Sequence, residues 1–104
     1  MYDCKITVLK RTVNEDLITE YLKEKFQEIQ PCEQFKDGQE FIVTKEKRYS
    51  PPEGFCKWAW ADIRHDLLTL AYGGTIPHMK NEKANIVGCT DYYRPVYFKI
   101  ERLD

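Results

Sequence analysis

The C-terminal region carries the sequence pattern that most constrains the fold. Over residues 95–103 (PVYFKIERL), polar or amphipathic residues alternate with the hydrophobic residues Val96, Phe98 and Ile100. This alternation is typical of an antiparallel strand that buries one face. A second β-rich segment at 84–90 (ANIVGCT) precedes it, and the residues DYYR join the two. The pattern therefore predicts a C-terminal β-hairpin.

Two segments with helical periodicity are predicted to cover the buried face of such a sheet. The first is 14–26, where Asn14 suits the N-cap position. Its predicted core face consists of Leu17, Tyr21, Leu22 and Phe26. The second is 55–74, where the pair Gly73-Gly74 predicts the helix end. Its apolar stripe consists of Trp60, Ile63, Leu67 and Leu70.

Two further strands complete the predicted order, β-α-β-α-β-β. They are 3–10, with Cys4, Ile6 and Val8 on one face, and the short segment 39–45. Loops are predicted at 30–38, 46–54 and 75–83, where Pro, Gly and charged residues interrupt the periodic segments. We therefore expect one α+β domain over residues 1–104, with a mostly antiparallel four-stranded sheet packed against two helices. The pattern leaves the strand order open.

The charge balance excludes several classes of partner. The chain has 16 Lys and Arg residues against 17 Asp and Glu residues, for a formal net charge of −1. Nucleic-acid binding and polybasic membrane anchoring both need a clustered basic excess, so we expect neither partner. The N-terminus has no apolar signal region, which predicts a cytoplasmic protein with reduced cysteines. The four cysteines form no CxxC pair.

Four stretches form a combined motif: PCEQFKDGQEFIV, PEGFCKWAWADI, the Gly73-Gly74 pair and CTDYYRPVYFKIER. With these stretches the chain resembles an uncharacterised family of small bacterial and archaeal proteins, common in anaerobes, from about residue 4 to 102. The resemblance implies a unit of this length that sometimes occurs in tandem, and it implies no activity or cofactor. Tyr92 stands where the family has glycine, which makes a positive-φ turn less expected there.

Cys56 lies at the predicted start of the second helix, between Phe55 and the residues Trp58 and Trp60. Free backbone N–H groups and the helix dipole at that position stabilise a thiolate, which is the reactive form of cysteine. Aromatic neighbours that desolvate the sulfur have the opposite effect. Cys56 is therefore either a small core residue or a ligand or nucleophile.

Three cysteines stand at edges of predicted elements and can meet at one end of the sheet. They are Cys32, Cys56 and Cys89. Three thiolates suit a soft metal ion or an iron–sulfur cluster with one position filled by another ligand. The pairs lack chelating local spacing, so no cofactor is evident from the sequence alone. A thiolate site remains an alternative to a binding module.

Histidines give a weaker indication of chemistry. Asp62 and His65 are one helical turn apart, so an acid–base pair and a solvated helix face are both open interpretations. With Cys56 as nucleophile and His65 as base, the chain would be a small cysteine-dependent enzyme. His78 is expected to be a surface loop residue.

Aromatic residues around the last hairpin indicate a ligand-binding surface. The candidate ligand-binding residues are Cys56, Trp58, Trp60, Tyr92, Tyr93 and Arg94. Such residues line pockets for small organic molecules, and Arg94 suits recognition of a carboxylate. They also anchor protein interfaces, including those of homodimers. We therefore expect a small binding or accessory module without independent catalysis, whose partner is a small molecule or another protein.

Overall fold

The computed structural model describes residues 1–104 and contains one four-stranded antiparallel sheet. Its strands are β1 (Asp3–Arg11), β2 (Glu40–Val43), β3 (Ala84–Gly88) and β4 (Val96–Leu103), in the order β2-β1-β4-β3. The helices are α1 (Glu15–Tyr21) and α2 (Lys57–Ala71), with short 3₁₀ turns at Glu24–Phe26 and Lys45–Lys47. The α+β class, the element order and the C-terminal hairpin are confirmed.

One face of the sheet forms the floor of the core. Cys4, Ile6 and Val8 of β1 are fully buried, as are Val96, Phe98 and Ile100 of β4. These are the residues that alternation placed on the inner faces. β1 and β4 are the central strands, and Ile6 lies opposite Ile100 in their antiparallel register. The alternating pattern therefore fixed which face of each central strand is buried.

Helix α2 lies over this floor and supplies most of the helical layer. Its buried residues are Ala59, Trp60, Ile63, Leu67, Leu70 and Ala71. The helix ends as the glycine pair predicts. Gly73 has φ +96°, its N–H donates to the Leu70 carbonyl at 2.9 Å, and the Gly74 N–H donates to the Thr69 carbonyl at 2.8 Å. These are the paired bonds of a Schellman motif, which glycine allows at the left-handed position.

The predicted helix 14–26 is wrong in length and in its buried face. The α-helix ends at Tyr21 because Leu22 adopts an extended backbone. Its one buried residue is Ile18, while the side chains of Tyr21 and Phe26 are 71% and 53% exposed. Neither α1 nor α2 has the length and hydropathy that a membrane-spanning helix needs.

An aromatic cluster fills the core at one end of α2. The ring of Phe35 lies 5.0 Å from that of Phe55 and 5.1 Å from that of Phe98, both in edge-to-face orientations. Phe41 also contacts Phe55, at 5.0 Å between ring centroids. Edge-to-face packing is the arrangement that aromatic rings prefer. Phe35 comes from the loop after α1, so this cluster fixes that loop against the sheet.

Candidate functional site

The start of α2 is set by the turn Pro52–Phe55. The Phe55 N–H donates to the Pro52 carbonyl at 3.1 Å, and Gly54 has φ +80°. A positive φ at the third position is typical of a type II turn, which favours glycine there. The turn directs Phe55 into the aromatic core and leaves Cys56 at the N-cap of α2, half-buried. Cys56 is thus at the boundary between the core and the surface.

The segment between β3 and β4 is held by two carboxylates. Asp91 Oδ1 accepts the backbone N–H groups of Tyr93 and Arg94, each at 3.2 Å. Asp62 Oδ2, on α2, accepts the backbone N–H of Thr90 at 2.8 Å and its hydroxyl at 3.0 Å. Short polar side chains that bond nearby backbone amides are typical of ordered turns. These contacts order the segment without requiring a positive φ anywhere between the two strands.

Hydrogen bonds also hold the other two cysteines of the predicted trio. The Val96 N–H donates to Cys89 Sγ at 3.3 Å, and the Cys89 N–H donates to the Val96 carbonyl at 3.1 Å. The Cys32 carbonyl accepts a bond from Arg11 Nη1 at 3.0 Å. Strand β1, through Arg11, and strand β4, through Val96, therefore position the two cysteines.

These elements enclose a pocket of about 310 Å³, here called the thiol pocket. Its walls are Cys32, Gln34, Phe35, Cys56, Trp58, Ala59, Cys89, Asp91, Arg94 and Val96. Seven of these ten residues are hydrophobic, and the volume is within the range of small-molecule sites. The three cysteines proposed to converge do line one pocket, and all three thiols are free.

Asp91 and Arg94 form an internal ion pair in the wall of this pocket. Arg94 Nε donates to Asp91 Oδ2 at 3.1 Å. The terminal Nη groups of Arg94 have no partner within the protein. The pair is formally neutral, so the pocket offers hydrogen-bond donors without a net positive charge.

Trp58 stands at the rim and is fixed by a polar chain. Its Nε1 donates to Thr90 Oγ1 at 2.7 Å, and that hydroxyl donates in turn to Asp62. Trp58 is 67% exposed although the one polar atom of its indole ring is satisfied. A large ring held in place at a pocket mouth is a suitable contact for a ligand, since little flexibility remains to be lost on binding.

The other predicted ligand-binding residues divide between two further places. Trp60 is only 8% exposed and packs edge-to-face on Phe55, at 6.0 Å between ring centroids, so it belongs to the core. Tyr92 and Tyr93 line an adjoining shallow groove of about 290 Å³, together with Trp58. Of the four aromatic residues singled out from the sequence, three therefore share one groove, and only Trp60 lies in the core.

The structure brings the three thiols to one pocket but does not form a metal centre. No group of three or more His, Cys, Asp or Glu side chains is arranged so that it could hold a metal ion. The fourth cysteine, Cys4, does not line the pocket. It is fully buried in β1, and this burial raises the pKa of its thiol to about 11.

The proposed acid–base and nucleophile–base pairs are not formed. Asp62 is bonded to Thr90, and His65 is exposed on α2 without a side-chain partner. Cys56 and His65 are nine residues apart, which separates them by about 13 Å along the helix axis. The geometry therefore does not bring His65 to Cys56 as its base. His78 is exposed in its loop, as predicted.

Five residues of the thiol pocket were not singled out as site residues from the sequence: Gln34, Phe35, Ala59, Asp91 and Val96. Val96 and Ala59 carry only the signal of core residues, and Gln34 and Phe35 lie in a segment without periodicity. The PCEQF stretch holds three of the ten pocket residues. Its mixture of cysteine and aromatic residues in a loop was the available signal.

Comparison with known proteins adds no further identification. Family models, curated proteins and solved structures give no match to this chain.

Proposed function

We propose that this protein is a small cytoplasmic binding module that takes a neutral, mostly apolar organic molecule in the thiol pocket. One observation carries the proposal. The pocket is apolar over most of its wall, has a volume of about 310 Å³ and presents a guanidinium group whose Nη donors are unused. Sites for small molecules combine an apolar wall with a few oriented polar groups in this way.

The charges of the pocket favour a neutral ligand over the carboxylate first considered for Arg94. Asp91 already balances the charge of Arg94 and remains in the pocket wall. An anionic ligand would have to approach this carboxylate, and like charges at short distance repel each other. A neutral acceptor, such as an amide or ketone oxygen, would accept a bond from Arg94 Nη without that cost.

A screen of neutral aromatic amides, each paired with its matching carboxylate, tests this proposal. We expect amides to bind more tightly than their carboxylates and to change the fluorescence of Trp58 at the rim. In Trp58→Phe, the buried Trp60 remains as the only tryptophan. The fluorescence response should then disappear, while binding detected by NMR should persist.

A matched pair of variants locates the binding site. Gln34 is exposed and lines the pocket, so Gln34→Trp should obstruct it. Lys36 is exposed in the same loop and does not line it, so Lys36→Trp should bind like the parent. Equal binding in both variants, or no binding amide in the screen, would be evidence against the proposal. The partner would then be sought among proteins, including a second copy of this chain.

A second candidate function is supported by the three thiols that share the pocket. We propose as the alternative a thiolate site for a soft metal ion or an iron–sulfur cluster, formed after local rearrangement of Cys32, Cys56 and Cys89. Purification without oxygen, followed by metal and acid-labile sulfide analysis, tests it. Stoichiometric metal that is lost in Cys56→Ser and Cys89→Ser would favour this alternative over the binding module.

We also propose a family for this chain and a role without independent catalysis. Membership of the small bacterial and archaeal family rests on the quoted motifs alone. The separation of His65 from Cys56 leaves unformed the nucleophile–base pair of the cysteine-dependent enzyme, which supports the proposal of a module without independent catalysis over that enzyme.

A further inference from the structure

A second pocket, of about 340 Å³, lies toward the opposite end of α2 from Cys56. We call it the tyrosine–arginine pocket, and its walls are Met1, Lys45, Arg48, Tyr49, Arg64, Leu68 and Tyr72. Arg64, Leu68 and Tyr72 are spaced four residues apart along α2 and its C-cap, so they share one helix face. Lys45, Arg48 and Tyr49 come from the turn after β2. The pocket thus joins two segments that are distant in sequence.

Three cationic side chains in this wall have no anionic partner. Lys45, Arg48 and Arg64 take part in none of the ion pairs of the protein. No Asp or Glu lines the pocket. Asp3 Oδ1 accepts the backbone N–H of Lys45 at 2.9 Å and forms no ion pair with the Lys45 ammonium group. This differs from the thiol pocket, in which Arg94 is paired, and it occurs in a chain whose net charge is −1.

The backbone that carries two of these residues has an uncommon conformation. Arg48 and Tyr49 have φ of 53° and 54°, and they are the two non-glycine residues of the protein with positive φ. Consecutive bulky residues in the left-handed region are unfavourable, and such strained positions tend to cluster at functional sites. Here the conformation turns the chain so that Tyr49 is buried while Arg48 stays exposed at the same pocket.

Two tyrosine rings complete the pocket. The Tyr49 ring is held in place because its hydroxyl donates to the Tyr2 carbonyl at 3.2 Å. The Tyr72 ring lies 5.8 Å from it, between centroids, and is 64% exposed. An exposed ring supported by a fixed one offers a free face on which a planar ligand can stack.

We propose that the tyrosine–arginine pocket binds a phosphate monoester joined to an aromatic ring, a ligand of the nucleoside monophosphate class. The three unpaired cations would bind the phosphate dianion through charge-assisted hydrogen bonds. The exposed face of Tyr72 would stack on the aromatic ring. This ligand is a small molecule, so the proposal is compatible with the lack of a basic stripe for nucleic acid.

Titration of the ¹⁵N-labelled protein with adenosine monophosphate tests the proposal, with adenosine and inorganic phosphate as the two halves of the probe. We expect the monophosphate to bind more tightly than either half and to shift the amide signals of Arg48, Tyr49 and Tyr72. Binding should weaken as the salt concentration rises, because salt screens exposed charges. Binding no tighter than that of phosphate alone would overturn the proposal, since it would indicate a general anion surface.

Matched variants on the same helix decide which residues bind the probe. Arg64→Gln should weaken binding of the monophosphate about tenfold, the effect of losing one charged hydrogen bond. Lys57→Gln removes one exposed charge at the other end of α2 and should change affinity less than about twofold. Tyr72→Leu should weaken the monophosphate at least about fivefold and leave phosphate binding unchanged. Equal affinities in Arg64→Gln and Lys57→Gln would also overturn the proposal, and the spectra themselves report whether each variant is folded.

Discussion

The two helices of this protein carry similar apolar periodicity, yet only one of them forms part of the core. Helix α2 buries six residues against β1, β3 and β4. Helix α1 buries only Ile18 and has no extensive contact with any strand or with α2. The difference shows that an apolar stripe does not decide burial by itself, because a surface must be available to cover it.

Length explains why α2 has that surface. Its fifteen residues extend over about 22 Å, which is enough to cross the width of a four-stranded sheet. Helix α1 has seven residues and ends where the Gln27 amide donates to the carbonyls of Thr19 and Leu22, at 3.3 and 3.0 Å. This side chain satisfies carbonyl groups that a longer helix would have used internally. Isolated helices of this length are marginal, so α1 depends on such contacts.

The largest expected loss of stability comes from removing core packing under α2. Leu67→Ala should lower the free energy of unfolding by about 3 kcal/mol, because Leu67 is fully buried and its truncation leaves a cavity. Leu17→Ala, the same change in the half-buried part of α1, should cost less than about 1.5 kcal/mol. Urea unfolding of both variants measures the difference. Equal losses would mean that α1 packs as firmly as α2.

The burial of Cys4 can be tested by measuring the free energy of unfolding as a function of pH. Burial raises the pKa of the Cys4 thiol from 9.0 to about 11, against a smaller opposing effect of Arg102. The unfolded chain therefore loses this proton first, so the stabilising contribution of Cys4 is complete below pH 9 and is lost as the pH rises toward 11. The free energy of unfolding should fall by about 2 kcal/mol relative to that of Cys4→Ala over this range. This variant is the reference because it lacks only the Cys4 thiol and keeps all other titrating groups. A difference in unfolding free energy between the parent and Cys4→Ala that stays constant over this pH range would contradict the burial of the Cys4 thiol.

A smaller loss of stability is expected when the contact between α2 and the segment that joins β3 to β4 is removed. Asp62→Ala removes the acceptor of both Thr90 bonds and should destabilise the protein by about 1 kcal/mol. Asp66, one turn further along α2, has no hydrogen-bonded partner, so Asp66→Ala is the matched control with an expected change within about 0.5 kcal/mol. Chemical denaturation compares the two. If the control were equally destabilising, the effect would come from helix charge and not from Thr90.

The sequence predicted the sheet better than it predicted the site, and the reason is physical. Alternation and helical stripes report burial, so the inner faces of β1, β4 and α2 were predicted correctly. Asn14 was placed correctly next to α1, but its side chain makes no cap bond and donates to the Tyr92 carbonyl at 2.7 Å. Such contacts between segments 78 residues apart leave no local pattern. The convergence of the three thiols likewise leaves no local pattern. Their positions at the edges of predicted elements suggested it, but it depends on the strand order β2-β1-β4-β3, which the sequence pattern left open.

The smallest expected effect concerns the exposed face of α1. Tyr21→Ala should change the free energy of unfolding by less than about 0.5 kcal/mol, because the side chain is 71% exposed and leaves no cavity. Phe26→Ala, at the following 3₁₀ turn, is a second test, because Phe26 is 53% exposed. Thermal unfolding at several protein concentrations measures both. A larger loss that grows with protein concentration would mean that α1 is covered by a second copy in solution. The contrast between the helices would then hold for the monomer alone, because α1 would have its covering surface in the dimer.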